Sequence, residues 1–289
     1  MPVGTINDPR IGIALGGGSA RGLAHIPFIE AMDEMGVRPS AIAGTSIGAL
    51  IGSGWAAGIA GRDIRELAYE RLGSMNGLFG RLFSLQMRSV KQVLREGLSI
   101  QLDAERVFEA FTPADMPKRF SELKIPFTSV ATDFKSWHQV SFHEGLIKPA
   151  VAGSLAIPSL FKPVHYHDTL LVDGGVVNPL PLDAAAADSD ILIGIDVNGD
   201  PQDWPLGRVP SALDIGLGSA QIMMRALTSH MISAYPPHLY FRPFLKSFGA
   251  YEYWRVREIV KAGDREKDRF KRELSAKIET FISAQRKIS

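Results

Sequence analysis

Ala41-Ile42-Ala43-Gly44-Thr45-Ser46-Ile47-Gly48-Ala49-Leu50 sets a short apolar run before a Gly-x-Ser-x-Gly pattern and a helix-like run after it. A strand that turns sharply into a helix crowds its own backbone, and glycines beside the turn remove the clashing Cβ atoms. Ser46, between Gly44 and Gly48, would then carry an exposed Oγ at a strand end, as a nucleophile elbow requires. A glycine-rich packed helix would give the same letters, and it is the apolar run in front that favours the elbow.

Outward from this stretch, apolar runs that end in a small or polar turn residue recur: Ile11 to Leu15, Phe127 to Ala131, Leu170 to Val172 and Ile191 to Val197. Such runs read as buried strands of a largely parallel sheet. Helix-like segments lie between and beyond them: Ala20 to Met35, Ile47 to Ala60, Asp63 to Leu72, Asp103 to Phe111, Ser211 to Ala234 and Asp264 to Arg286. The alternation predicts an α/β fold, and Thr132 to Phe142, with a polar turn at Lys135 and Ser136, predicts a hairpin that makes one side of the sheet mixed. No internal repeat or long linker interrupts the chain, so residues 1–289 are expected to form a single domain.

Composition narrows the chemistry. With 45% hydrophobic and 22% charged residues the chain is globular in type, and the lack of cysteine excludes disulfides, thiolate metal sites and a cysteine nucleophile. A formal charge of +1 gives no global field for nucleic acid or an anionic bilayer, so any lipid contact has to be local. Met1 to Arg10 holds Pro2, Gly4, Asp8 and Pro9 and no secretory pattern, which leads to the expectation of a cytoplasmic protein, peripheral at a membrane at most. Pro39 to Gly61 is uncharged over 23 residues, with Gly44, Gly48 and Gly52 at the spacing of membrane-helix dimers. Six of those residues are glycine, so the run is too weakly apolar to be expected to span a bilayer.

Gly16-Gly17-Gly18-Ser19-Ala20-Arg21-Gly22 follows the first strand and opens a helix, so backbone N–H groups converge there on one anionic atom. The spacing fits neither the dinucleotide fingerprint nor a P-loop. With a candidate nucleophile elsewhere in the chain, an oxyanion hole is the favoured reading, with Arg21 holding the loop or attracting a phosphate head group. Asp173-Gly174-Gly175 closes another strand-like run, from which a carboxylate can be aimed at the same sheet edge as Ser46; Asp133 and Asp196, also at strand ends, compete with it. His230 or His238 could complete a Ser, Asp, His order, but neither lies in a glycine-rich loop, and both read as structural. His25 reads as a support for the glycine loop, and His165 and His167 as strand positions. No metal or cofactor site stands out.

These three motifs in this order resemble those of the bacterial patatin-like phospholipases. The resemblance continues through Ala131-Thr132-Asp133, through Ala156-Ile157-Pro158 with Phe161 and Pro163, and from Leu171 to Pro181. It implies a three-layer α/β/α sandwich with a central, mostly parallel sheet, and a Ser-Asp dyad that works without histidine. By motif, Ser46 would be the nucleophile and Asp173 the general base. Gly16, Gly17, Gly18 and Ser19 would form the oxyanion hole, supported by Arg21, Gly44, Gly48, Gly174 and Gly175. The chain departs from the family pattern at Ser19 and Pro27, where glycine is usual. The implied activity is lipid acyl hydrolysis without a cofactor; a short-chain carboxylesterase and a non-catalytic lipid-binding protein of the same fold are the rivals. Residues 77–93 interleave Leu78, Phe79, Leu82, Phe83, Leu85 and Met87 with Arg81, Arg88 and Lys91, a pattern for a lid or a bilayer contact.

Overall fold

A computed structural model describes residues 8–73, 101–187, 189–200, 210 and 212–288; the segment 77–93 lies outside them. Eight strands form one sheet: β1 (Ile11–Leu15), β2 (Ala41–Thr45), β3 (Phe127–Asp133), β4 (His138–Phe142), β5 (Val164–Tyr166), β6 (Thr169–Asp173), β7 (Ile191–Ile195) and β8 (Leu239–Phe241). The order is β5-β6-β3-β2-β1-β7-β8, with β4 added to β3. β3, β2, β1, β7 and β8 run parallel, whereas β4, β5 and β6 join through antiparallel pairings, so the sheet is mixed on the side where the hairpin was expected.

The helices are α1 (His25–Glu34), α2 (Ile47–Ala56), α3 (Gly61–Gly73), α4 (Ala104–Phe111), α5 (Ile147–Leu155), α6 (Leu182–Ala186), α7 (Ala212–Ala234), α8 (Val256–Asp264) and α9 (Lys267–Ile288). Strand side chains alternate between faces. Ile13, Leu15, Ile42, Ile193 and Ile195 enter the larger core, shared with α1, α2 and α5. Ala14, Ala43 and Leu192 point the other way, toward Leu182 and Ala185 of α6 and Met231 and Ile232 of α7. Helices on both faces make the three-layer α/β/α sandwich. The second face is thin because its strand residues are small: a Cβ on Gly12 would lie 2.1 Å from the Ala185 carbonyl.

The register of β3 brings two strand ends together. On one edge, Ile42 to Thr45 of β2 pair in parallel with Phe127 to Val130; beyond them, Ala131 to Asp133 pair with β6 arriving antiparallel. β4 occupies the opposite edge. Val130 therefore faces Thr45 and Ala131 faces Asp173, so β2 and β6 meet end to end with Ser46 and Asp173 at the junction.

Several elements differ from expectation. Ser19–Ala24 is a 3₁₀ helix ahead of α1. α2 stops at Ala56 because Gly58, at φ 94°, closes it: the Gly58 N–H donates to Trp55 and the Ile59 N–H to Gly54. The uncharged stretch 39–61 is thus a strand, a turn and a ten-residue helix. At about 15 Å that helix falls short of a bilayer, and no described helix is long and apolar enough to cross a membrane.

Candidate active site

Ser46 occupies the turn between β2 and α2 at φ 56°, ψ −126°, a conformation that costs a non-glycine residue roughly 1–3 kcal/mol. Three contacts hold it there. Thr45 Oγ1 donates to the Asn178 carbonyl at 2.9 Å, and the Ser46 N–H donates to Ser154 Oγ at 2.8 Å. Ser154 Oγ in turn donates to the Val130 carbonyl at 2.5 Å, fastening the elbow to β3 through α5. Gly48 lets α2 pack directly on β1, since a Cβ there would sit 2.1 Å from the Leu15 carbonyl.

Ser46 Oγ donates to Asp173 Oδ2 at 2.6 Å, and both residues are buried. Oδ1 accepts from the Gly175 N–H at 2.7 Å, and the Asp173 carbonyl accepts from Thr132 Oγ1 at 2.9 Å. Burial pushes the Asp173 carboxyl up to about 6, against the opposing hydrogen bonds from Ser46 and Gly175. The competing carboxylates sit in other surroundings. Asp133 is held down to about 2, first by the Ser136 hydroxyl and then by the Leu170, Lys135 and Ser136 N–H groups, so it is a poor proton acceptor. Asp196 is committed to the Tyr240 hydroxyl and the Asn198 N–H. His230 is exposed on α7, and His238 Nδ1 accepts from the Leu192 N–H, at the end of β7 away from the glycine loop.

The glycine loop lies against the elbow: a Cβ on Gly17 would be 3.3 Å from the Ser46 Cβ. Its amides divide into two groups. The Gly16 N–H donates to the Ile195 carbonyl and the Gly17 N–H to Pro179, so these two hold the loop and cannot also face an oxyanion. Among the described residues nothing accepts from the Gly18 or Ser19 N–H. Ser19 has φ 52°, which accounts for the glycine expected there, and its side chain is hydrogen-bonded to Tyr253. Pro27 falls in the first turn of α1, where no helical bond needs its N–H. His25, fully buried and held down to about 4 by burial, is neutral and donates from Nε2 to the Gly16 carbonyl at 2.8 Å, as a loop support should. Arg21 is buried and donates to the Phe248 carbonyl, tying the loop to the segment before α8.

Ser154 and Tyr253 were not legible as site residues, because each acts across a long sequence separation and neither lies in a recognisable pattern; Thr132 stands in the Ala131-Thr132-Asp133 match, but its bond to the Asp173 carbonyl was not legible there. Ser154→Ala strands two buried partners, the Ser46 N–H and the Val130 carbonyl, and is expected to cost about 1–3 kcal/mol of stability. Loosening the elbow should also lower kcat by roughly tenfold with KM nearly unchanged. Urea melts and steady-state kinetics on a short ester check both; unchanged kcat would show that the Ser154 bond does not position Ser46.

From Ser46 an apolar pocket runs along α2, walled by α3, α4 and residues 155–161, with Tyr253 and Leu23 also lining it. Among the described residues no group of three or more histidines or carboxylates could hold a metal ion.

The family model described as Patatin-like phospholipase matches residues 13–186. An uncharacterized NTE family protein of Mycobacterium tuberculosis is 35% identical over 196 residues, covering 67% of this chain and 50% of its own. Lysophospholipase nte1 of Emericella nidulans is 24% identical over 88% of this chain and 17% of its own. Patatin-like phospholipase domain-containing protein 6 of Mus musculus is 29% identical over 66% of this chain and 14% of its own. The chain spans about half the length of the mycobacterial relative and less of the other two. Among solved structures, VipD from Legionella pneumophila aligns over 92% of this chain and 67% of its own, at 13% identity and a TM-score of 0.48.

Proposed function

Because the chain belongs to the patatin-like phospholipase family, we propose that it is a serine lipid acyl hydrolase of the phospholipase A or lysophospholipase type, working through a Ser46-Asp173 dyad. The observation that carries this reading is the 2.6 Å hydrogen bond from Ser46 Oγ to a carboxylate that burial makes basic. An exposed carboxylate is too weak a base to activate a serine, and desolvation closes part of that gap.

In the proposed cycle Ser46 Oγ attacks the ester carbonyl carbon while its proton passes to Asp173 Oδ2. The Gly18 and Ser19 N–H groups stabilise the oxyanion in a dry site. Collapse breaks the bond to the alkoxide, which takes the proton from Asp173 and leaves an acyl-Ser46. Water then gives its proton to Asp173, attacks the acyl carbon and releases the fatty acid, returning the proton to Ser46. The groups in this cycle are one hydroxyl, one carboxylate and backbone amides, so a chelator should leave turnover unchanged. Inactivation by a chelator that one added metal reverses would contradict that.

Hydrolysis of lysophospholipid and phospholipid, run beside short and long p-nitrophenyl esters, tests the reading. A lipid hydrolase cleaves the lipids, a soluble carboxylesterase cleaves only the short esters, and a lipid-binding protein without catalysis cleaves none. The apolar pocket that begins at Ser46 favours the first.

A further inference from the structure

We infer that Gly54 sets the length of acyl chain the protein accepts, with a saturated chain of about ten carbons filling the pocket from Ser46 to a stop formed by Ile59 and Ile64. The inference rests on the hydrolase reading and deepens it.

Ile47, Leu50, Ile51 and Gly54 line the pocket from α2 at spacings of three and four, so they form a single stripe leading away from Ser46. Ser46 and Gly54 are eight residues apart, or roughly 12 Å along the helix axis. An extended chain advances about 1.2 Å per bond, so some ten carbons cover that distance. At the far end the turn that closes α2 sends Ile59 back over the helix, with its N–H bonded to the Gly54 carbonyl at 3.1 Å. A Cβ on Gly54 would lie 3.7 Å from Ile59 Cδ1 and 4.0 Å from Ile64 Cδ1, so the missing side chain leaves its space to the pocket.

The occupant is the acyl leg rather than the alcohol leg. Among the described lining residues only Ser46, Thr112 and Tyr253 carry side-chain polar atoms, and Thr112 Oγ1 is already bonded to the Phe108 carbonyl. Such a wall offers no partners for a glycerol or phosphate group, which would pay the full cost of burial there. A hydrocarbon chain meets no such cost and gains about fourfold in kcat/KM for each methylene removed from water.

The test is a series, Gly54→Ala, Gly54→Val and Gly54→Leu, assayed on p-nitrophenyl butyrate, octanoate, decanoate, dodecanoate and palmitate, with melting temperatures measured alongside. Alanine fits at ordinary contact distance and favours a helix over glycine, so the first variant is expected to fold at least as well as the parent. Leucine displaces three or four methylenes: kcat/KM for decanoate and longer esters should fall roughly a hundredfold, while butyrate turnover stays within about threefold. Ile59→Ala, at the stop, should move the optimum the other way, toward longer chains. An unchanged chain-length profile in Gly54→Leu, or an equal loss on every ester, overturns the assignment. If the unaltered protein cleaves no ester of any length, the hydrolase reading has failed instead, and that outcome shows before any Gly54 variant is made.

Discussion

Ser46→Ala is expected to lower ester hydrolysis by at least about 10⁴-fold while leaving the protein folded. Alanine removes only Oγ; the Ser154 and Thr45 bonds that shape the elbow involve a backbone N–H and a neighbouring side chain and survive. The backbone strain survives too, because Ala at φ 56° is no more comfortable than Ser. Ser46→Gly should therefore be more stable than Ser46→Ala by about 1 kcal/mol, although both are inactive. Turnover by Ser46→Ala at a tenth of the parent rate or more would mean that another group is the nucleophile.

The second large effect is at Asp173, and its sign differs between activity and stability. Asp173→Asn should remove most activity, whereas His230→Ala and His238→Ala should each stay within about tenfold of the parent. With the carboxyl pushed up to about 6, activity should fall about tenfold per pH unit below that point as the base becomes protonated. Stability runs the other way. Asp173 titrates higher in the fold than the ordinary 3.8, so below 3.8 it is neutral in both states and contributes no difference. Between 3.8 and about 6 the unfolded chain ionises first, and above about 6 the folded state carries the full penalty of a buried charge, about 3 kcal/mol. Asp173→Asn removes that penalty and should unfold at higher urea concentration than the parent at pH 8, with the gap narrowing toward pH 4. A variant less stable than the parent at pH 8 would show that the carboxylate supports the fold rather than straining it, as expected of a functional group.

The elbow and the Asp-Gly-Gly turn were readable because sharp turns and close backbone approaches restrict which residues fit. Gly48 over Leu15 and Gly174 over Val130 are such approaches, with a Cβ in each case 2.1 Å from a carbonyl oxygen. The regular strands were readable for a similar reason, since buried parallel strands are continuous apolar runs. α5 was not, because Ile147–Leu155 is buried almost throughout and has no polar face to set a period. Of the two histidines read as strand positions, His165 lies in β5, whereas His167 falls in the turn after it at φ 51°; β8, three residues long, is too short to register, and the continuous helix expected from Asp264 instead starts at Lys267, behind the separate helix α8.

At the candidate site, geometry set by local motifs was legible and geometry set by packing was not. Ser46 and Asp173 lie in local patterns, but their meeting depends on β2 and β6 sharing one edge of β3, a register that no local stretch encodes. The glycine loop lies beside the elbow, with a Cβ on Gly17 3.3 Å from the Ser46 Cβ. That the Gly16 and Gly17 amides are taken up in holding the loop depends on Ile195 and Pro179, both far away in sequence. The stripe of Ile47, Leu50, Ile51 and Gly54 reads in sequence as an ordinary core face; it becomes a pocket wall only when α3 and α4 supply the other side. The amphipathic stretch 77–93 lies outside the described residues, although Leu72 and Leu102, on either side of it, line that pocket.

The rate of covalent labelling by an alkyl fluorophosphonate, followed against pH and mapped by peptide mass spectrometry, tests the dyad most directly. It reports the nucleophile and its base without depending on which lipid is the substrate. The label should fall on Ser46 alone, with a rate that rises through an apparent pKa near 6, the value at which Asp173 ionises, and drops by orders of magnitude in Asp173→Asn. A label on any other serine, or an Asp173→Asn protein that reacts as fast as the parent, would contradict it.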